Sequence, residues 1–83
     1  MLDRIIIRNN TSMRSDNIVV KAFTSATVWE FKKEVSLLVN LSPRYAQFEL
    51  PNGKKLTDKQ NGMVLEQLNL KNGDIVTVRK VAV

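Results

Sequence analysis

The stretch that decides the fold is residues 27–40, which read Thr-Val-Trp-Glu-Phe-Lys-Lys-Glu-Val-Ser-Leu-Leu-Val-Asn. Thr27 and Glu30 have the spacing of a capping box, in which the threonine hydroxyl accepts a backbone N–H of the first helical turn and the carboxylate reaches back to residue 27. A helix is therefore predicted to begin at residue 28.

The apolar stripe of this helix is expected to consist of Val28, Phe31, Val35 and Leu38. Its other faces are expected to carry Lys32, Lys33 and Ser36. Asn40 suits a left-handed position that ends the helix, and Pro43 prevents its continuation.

Five short strands are predicted on either side of this helix, from β-branched and alternating apolar residues. Their ranges are 4–8, 17–23, 46–50, 54–56 and 75–80. Polar residues 9–16 form the loop of the first hairpin, and turn signals with Asn-Gly pairs lie at 51–53 and 71–74. Residues 64–68 predict one short helical turn. This order predicts an α+β roll, with a mixed sheet of four to five strands packed on one helix.

Length and composition restrict the possible functions. Eighty-three residues suit one domain, taken as residues 1–83, and the chain contains no cysteine and no histidine. Disulfides, thiol chemistry, the usual zinc sites and catalytic Cys–His or Ser–His pairs are thus excluded. The eight acidic residues are scattered among turns and helix surface, so we expect solvated charges, a non-catalytic domain and no cofactor. No apolar run could span a bilayer or act as a signal peptide, and the expected location is cytoplasmic or nuclear.

The charge balance favours acidic partners. Thirteen lysines and arginines against eight acidic residues give a net charge of +5, which suits an acidic protein face, nucleic acid or anionic lipid. The basic residues expected to gather along the sheet, with Arg4 and Arg8 nearby, are Lys21, Arg44, Lys54, Lys55, Arg79 and Lys80. They are most simply solvated surface. Nucleic acid is the weakest of the alternatives, because no aromatic residues alternate with the basic ones in the way that base stacking requires.

Across nearly its whole length the sequence resembles ubiquitin and its relatives. Residues 18–35 can be laid on ubiquitin without a gap, and Leu41-Ser42-Pro43 resembles the isoleucine-proline-proline that follows the ubiquitin helix. Gly53-Lys54-Lys55-Leu56 resembles its Gly-Lys-Gln-Leu turn, and residues 64–70 resemble Thr-Leu-Ser-Asp-Tyr-Asn-Ile. The first hairpin loop is longer, and one residue is added near residues 51–53. The resemblance implies a β-grasp fold.

The functional groups of ubiquitin are mostly replaced. The sequence ends Arg79-Lys80-Val81-Ala82-Val83 without the Gly-Gly used for conjugation, so as given it is not expected to be a modifier. On this alignment the isoleucine of ubiquitin's apolar recognition patch becomes Glu49, its valine Arg79 and its histidine Thr77. The leucine's place falls in the altered loop near Asn10. Glu49 and Arg79 are expected to pair across the sheet, and ordinary ubiquitin receptors are expected to bind weakly or not at all.

Two further features are candidates for partner contacts. Ile6, Val19 and Phe23 should project from the outer sheet face, where ubiquitin has a second, smaller apolar surface. Trp29 is either a rim residue that covers the helix edge or an anchor for a partner, since tryptophan is enriched in binding hot spots. Scattered apolar residues on a surface are also normal.

The functional hypothesis is a non-conjugatable interaction or regulatory module of a larger intracellular protein. In style the chain resembles the internal ubiquitin-like domains of large ubiquitin-specific proteases, which implies a protein partner or a neighbouring domain of the same chain. A proteasome-docking shuttle domain is an alternative that the charges at Glu49 and Arg79 disfavour. A second alternative is a basic module that binds nucleic acid or anionic lipid, with an affinity that falls steeply as salt is raised.

Overall fold

The computed structural model describes residues 2–11 and 16–81. Within this part of the chain there are four strands and one α-helix. Their order along the sequence is β1 (Leu2–Asn10), β2 (Asp16–Ala22), α1 (Val28–Leu38), β3 (Ala46–Glu49) and β4 (Ile75–Lys80). Short 3-10 turns cover Pro43–Tyr45, Asp58–Gln60 and Leu65–Leu68. The α+β roll with one helix is confirmed, and so is the helical turn predicted near residue 65. Residues 12–15 of the predicted hairpin loop lie outside the described residues.

The sheet is mixed and has the strand order β2-β1-β4-β3. β1 pairs with β2 and β3 pairs with β4 in antiparallel fashion, while β1 and β4, from opposite ends of the chain, run parallel in the centre. β1 is longer than predicted because it has a partner on each side: Leu2 pairs with Ala22 at one end, and Asn10 pairs with Arg79 at the other. A β-bulge lies between Leu2 and Ile5.

The core lies between the inner face of this sheet and α1. Because side chains alternate along a strand, Ile5 and Ile7 of β1 and their neighbours in the other strands point to the helix. The fully or almost fully buried side chains include Ile5, Ile7, Val28, Phe31, Val35, Phe48, Leu65, Val76 and Val78. The rings of Phe31 on α1 and Phe48 on β3 have their centroids 6.4 Å apart, so the helix and the sheet contact each other through this aromatic pair.

Both ends of α1 are built as the sequence predicts. The N–H of Glu30 donates to Thr27 Oγ1 over 3.1 Å, and the N–H of Thr27 donates to Glu30 Oε1 over 3.4 Å, which completes the capping box. At the other end Asn40 has a φ of 54°. The N–H of Asn40 donates to the carbonyl of Leu37, and that of Leu41 to the carbonyl of Ser36, which is the Schellman arrangement.

The buried face of α1 is rotated relative to the prediction, and the assignment of Leu38 to the core is wrong. Leu38 is 55% exposed, whereas Val39 is only 8% exposed. Val39 lies four residues after Val35, so the 3.6-residue repeat returns it to the centre of the stripe and leaves Leu38 at the edge. Two polar residues expected on other faces, Lys32 and Ser36, are also buried.

The prediction of a strand at residues 54–56 is wrong. Residue 55 forms only an isolated bridge with Glu49. The chain reverses tightly, since Leu50 accepts the N–H of Gly53, whose φ of 88° suits glycine. Leu56 is buried, and the chain then turns into Asp58–Gln60. Pairing is therefore too short to add a fifth strand to the sheet.

Lys32 ties α1 to the loop that follows Leu56. Its Nζ donates to Asn61 Oδ1 over 2.7 Å and to the carbonyl of Thr57 over 3.4 Å. Desolvation lowers the pKa of Lys32 from its ordinary value, and the nearby carboxylate of Asp58 opposes that shift. The apolar stem of the lysine packs with the helix while its ammonium reaches the two acceptors, which explains why a charged residue is tolerated on this face.

We expect Lys32→Ala to lower the free energy of unfolding by about 2 kcal/mol, because it leaves two oxygens without their charged donor and removes the buried stem. Denaturant unfolding monitored by circular dichroism measures this change. Lys59→Ala, at an exposed lysine on the same connection, is the matched control and should change the stability by less than about 0.5 kcal/mol. Equal effects of the two substitutions would contradict a structural role for Lys32.

Candidate interaction surface on the sheet

The side of the sheet opposite α1 presents a second, solvent-facing set of residues, which we call the outer sheet face. Its members follow from alternation, because each lies next in sequence to a residue that points into the core. They are Arg4, Ile6, Arg8, Val19, Lys21, Gln47, Glu49, Ile75, Thr77 and Arg79. Three of the four strands contribute at least one basic residue to this face, and three contribute apolar residues or the methyl-bearing Thr77.

Three apolar side chains form one line across the outer sheet face. Ile6 pairs with Val19 of β2 on one side and with Ile75 of β4 on the other, so the three side chains lie in one register row. Val19 is 60% exposed, while Ile6 and Ile75 are half-buried. We call this line the apolar row. Ile75 had no predicted role, although the burial of Val76 and Val78 would have placed it on this face by strand alternation alone.

Basic residues border the apolar row. Arg4 and Arg8 lie two residues before and after Ile6 in β1, and Lys21 lies two residues after Val19 in β2. All three are exposed, and none forms an ion pair with another described residue. The border is therefore a positive field around an apolar centre, a combination that suits a partner with apolar side chains flanked by carboxylates.

Glu49 and Arg79 form an ion pair, as predicted. Arg79 Nη1 lies 2.9 Å from Glu49 Oε2, and the two side chains are 43% and 26% exposed, Arg79 being the more exposed. They are diagonal neighbours, since Glu49 pairs in register with Thr77 and Arg79 pairs with Gln47. A partly exposed pair of this kind contributes about 0–1 kcal/mol to stability. Its main effect is to make this part of the face polar.

Thr77 lies beneath that charged layer. It is in register with Arg8 on one side and Glu49 on the other, and only 7% of it is exposed. A shallow hollow of about 410 Å³ opens beside these residues and also involves Asp74. A partner would therefore touch Arg8 and Glu49 before it could reach Thr77.

The two aromatic candidates are not in the strands, and Trp29 is on the helix, so the seven predicted residues do not form one site. Phe23 follows the last residue of β2, is 63% exposed, and borders a hollow with Phe31 and Glu30 of α1. Lys21 of the outer sheet face lines the same hollow. Trp29 is on α1, 40% exposed, with Lys33 Nζ 5.7 Å from its ring centroid. The basic residues are dispersed as well, since Arg44 borders a hollow with Trp29 rather than the sheet.

The described residues show no arrangement for metal or membrane chemistry. Within residues 2–11 and 16–81, no three acidic side chains are grouped so that they could hold a metal ion. The same residues include no helix with the length and hydropathy needed to cross a bilayer.

Comparison with known proteins assigns the fold. The chain superposes on ubiquitin of Caldiarchaeum subterraneum with a TM-score of 0.77 and 20% identity, over 96% of this chain and 94% of the other. The fold is that of ubiquitin. A designed protein based on human erythrocytic ubiquitin gives a TM-score of 0.78 at 21% identity, over 99% of this chain and 95% of the other. Neither a protein-family model nor a curated protein matches the sequence.

The same fold also matches part of a longer chain. In the crystal structure of a pParkin–pUb–UbcH7 complex, the match has a TM-score of 0.76 and 18% identity, and it covers 93% of this chain but 22% of that one. The predicted ubiquitin-like roll is thus confirmed.

We expect ordinary ubiquitin receptors not to bind this chain, because a receptor surface made for apolar side chains would have to desolvate the Glu49–Arg79 pair. Titration of a ubiquitin-receptor domain, followed by NMR, should show no saturable binding below about 1 mM. Glu49→Ile combined with Arg79→Val should produce measurable binding.

The control for this prediction exchanges the charges, as Glu49→Arg with Arg79→Glu, which keeps an ion pair but supplies no apolar surface. It should behave as the unaltered chain does. Micromolar binding of the unaltered chain through Glu49 and Arg79 would show that the pair does not exclude these receptors.

Proposed function

We propose that this chain is an interaction and regulatory module that binds a protein partner, or a neighbouring domain of its own chain, through the outer sheet face. The observation that carries the proposal is the apolar row of Val19, Ile6 and Ile75 bordered by three exposed cations. The apolar row supplies contact area that gains free energy when it leaves water. The cations supply selectivity and a faster encounter with an acidic partner.

The Glu49–Arg79 pair decides which partners are suitable. A surface that is complementary to this chain must either leave the ion pair in water at the rim of the contact or match both charges with hydrogen-bonding groups. The first arrangement places the centre of the contact on the apolar row. We therefore propose a partner face whose apolar residues meet Ile6 and Val19 and whose carboxylates meet Arg8 and Lys21.

We further propose that the module belongs to a larger intracellular protein, a ubiquitin-specific protease in which it would adjust the activity of a catalytic domain. The support for the protease is the sequence resemblance to the internal domains of those enzymes. Support for embedding in a longer chain comes from the parkin-containing complex, where a domain of this fold accounts for about a fifth of the matched chain. Any catalytic residues of such a protein would lie outside these 83 residues.

Binding of nucleic acid or anionic lipid is the second candidate, and the exposed Arg4, Arg8 and Lys21 on one face favour it. Against it, none of the residues that the four strands place on the outer sheet face is aromatic, so within the strands no aromatic ring alternates with the cations to stack on bases. The two candidates differ in salt dependence. Phosphate binding weakens steeply between low and physiological salt, whereas contact through an apolar row does not.

To test the surface, the chain is used to recover partners from a cell extract at about 50 mM and about 200 mM salt. We expect one protein to bind at both salt concentrations, to be lost with Val19→Ser and to be weakened by Arg8→Glu. Leu38→Ser, also a substitution of an exposed apolar residue but on α1, should leave this binding unchanged. Binding that persists in Val19→Ser would refute the site, and a salt-sensitive nucleic acid in place of a protein would establish the second candidate.

To test the parent protein, an antibody against this domain is used to measure the size of the endogenous product by immunoblot. We expect one band far above the 9.4 kDa of this chain, and its identification by mass spectrometry would decide whether a cysteine protease domain is attached. A ladder of bands that collapses on treatment with a deubiquitinase would instead mean that the chain is a conjugated modifier, which would overturn the module proposal.

A further inference from the structure

A groove runs along α1 on a side of the molecule that the outer sheet face does not include. One wall is the helix. The other is the segment that follows it, residues 41–44, and at the Trp29 end it also includes Ala46, Leu56, Asp58 and Asn61. The groove consists of two hollows of about 420 Å³ each, which share Pro43. We call it the helix groove, and the residues that define it are Trp29, Lys33, Leu37, Leu41, Pro43 and Arg44.

The helical repeat explains why three of these side chains line the groove together. Trp29, Lys33 and Leu37 are spaced by four residues, so they form one row along α1 that is about 12 Å long. Leu37 is 82% exposed and Trp29 is 40% exposed. Two large apolar side chains thus stand in water at either end of the row, where a partner could remove them from solvent.

The opposite wall is held in place by the end of the helix. Asn40 takes the left-handed conformation, and the N–H of Leu41 donates to the carbonyl of Ser36, which directs the chain back along α1. Pro43 begins the 3-10 turn Pro43–Tyr45, and Ser42 caps it by accepting the N–H of Arg44. The groove is therefore formed before any partner arrives, which lowers the entropic cost of binding.

The charges that line the groove define the occupant. Lys33 and Arg44 are exposed, and neither is ion-paired with a described residue. Lys32 is buried and already donates to Asn61 and Thr57. Among the described residues, Asp58 is the only acidic one that lines either hollow, and it lies at the Trp29 end. The accessible charge along the row is thus positive, and it is complementary to carboxylates.

We propose that the helix groove is a second docking site, which binds a short amphipathic segment of a protein whose apolar side chains contact Trp29 and Leu37 and whose carboxylates meet Lys33 and Arg44. Lys33 serves both purposes, since its Nζ lies 5.7 Å from the centroid of the Trp29 ring and the same ammonium can pair with a carboxylate of the segment. This site is separate from the outer sheet face, because the sheet and the core lie between them. The domain can then hold two partners at once, or two parts of one partner.

The test is an NMR titration of the chain with a designed peptide of about twelve residues, long enough to follow the row, that carries leucines at helical spacing and aspartates or glutamates elsewhere. We expect saturable binding with shifts at the Trp29 indole and the amides of Lys33, Leu37 and Arg44. Leu37→Ser and Lys33→Glu should each weaken the affinity about tenfold or more. A peptide with lysines in place of its acidic residues should not bind.

Leu38→Ser is the matched control. Leu38 is also exposed and adjacent in sequence, but it does not line the groove, so the affinity should be unchanged. Thermal unfolding should show that all three variants remain folded, since the replaced side chains are exposed. Val19→Ser should bind the peptide normally, which separates this site from the outer sheet face.

Three results would overturn the proposal. They are the absence of binding, equal binding of the lysine peptide, and shifts confined to Ile6, Val19 and Arg8. The last result would place the acidic segment on the outer sheet face and would leave the proposed function intact. Conversely, the cellular partner could still bind the Val19→Ser variant while the peptide binds along α1. That result would refute the proposed function but would support the helix groove as a docking site.

Discussion

The parallel pairing of β1 with β4 is the constraint on which the rest of the structure depends. These strands come from opposite ends of the chain, and each lies in the centre of the sheet with a further strand on its other side. Their register places Ile6 against Ile75 and Ile7 against Val76. Because side chains alternate, a slip of one residue would move the buried isoleucines and valines of one strand to the solvent side. The register therefore decides both what is core and what is surface.

This register also creates the outer sheet face. Once Ile5 and Ile7 are buried, Arg4, Ile6 and Arg8 must face outward, and the same alternation carries Thr77 and Arg79 to that side. The resulting surface lies on the fold of ubiquitin. It carries the Glu49–Arg79 ion pair across β3 and β4 and an apolar row across β2, β1 and β4. The fold thus fixes the positions of the side chains on the sheet, and the chemistry of those side chains decides which partners can bind.

Much of the fold could be predicted from local patterns. The capping box at Thr27 and Glu30, the left-handed Asn40 and the last strand at 75–80 depend on neighbours within a few residues, so they can be derived from sequence. The pairing of Glu49 with Arg79 was also predictable, but only through the resemblance to ubiquitin. The errors at Leu38, Lys32 and residues 54–56 share one cause. Each depends on what the rest of the chain places opposite the residue, which periodicity does not contain.

The sequence by itself determined the helix, the four strands of the sheet, their order along the chain and the positive charge, because capping, turn chemistry and alternation are local. Only the tertiary structure decided that Ile75 completes the apolar row and that Lys32 is buried against Asn61. It also decided that Trp29, Leu37 and Pro43 line one groove. The physical reason is that burial and charge pairing are properties of surfaces brought together from distant parts of the chain, and these surfaces exist only after β1 and β4 have paired.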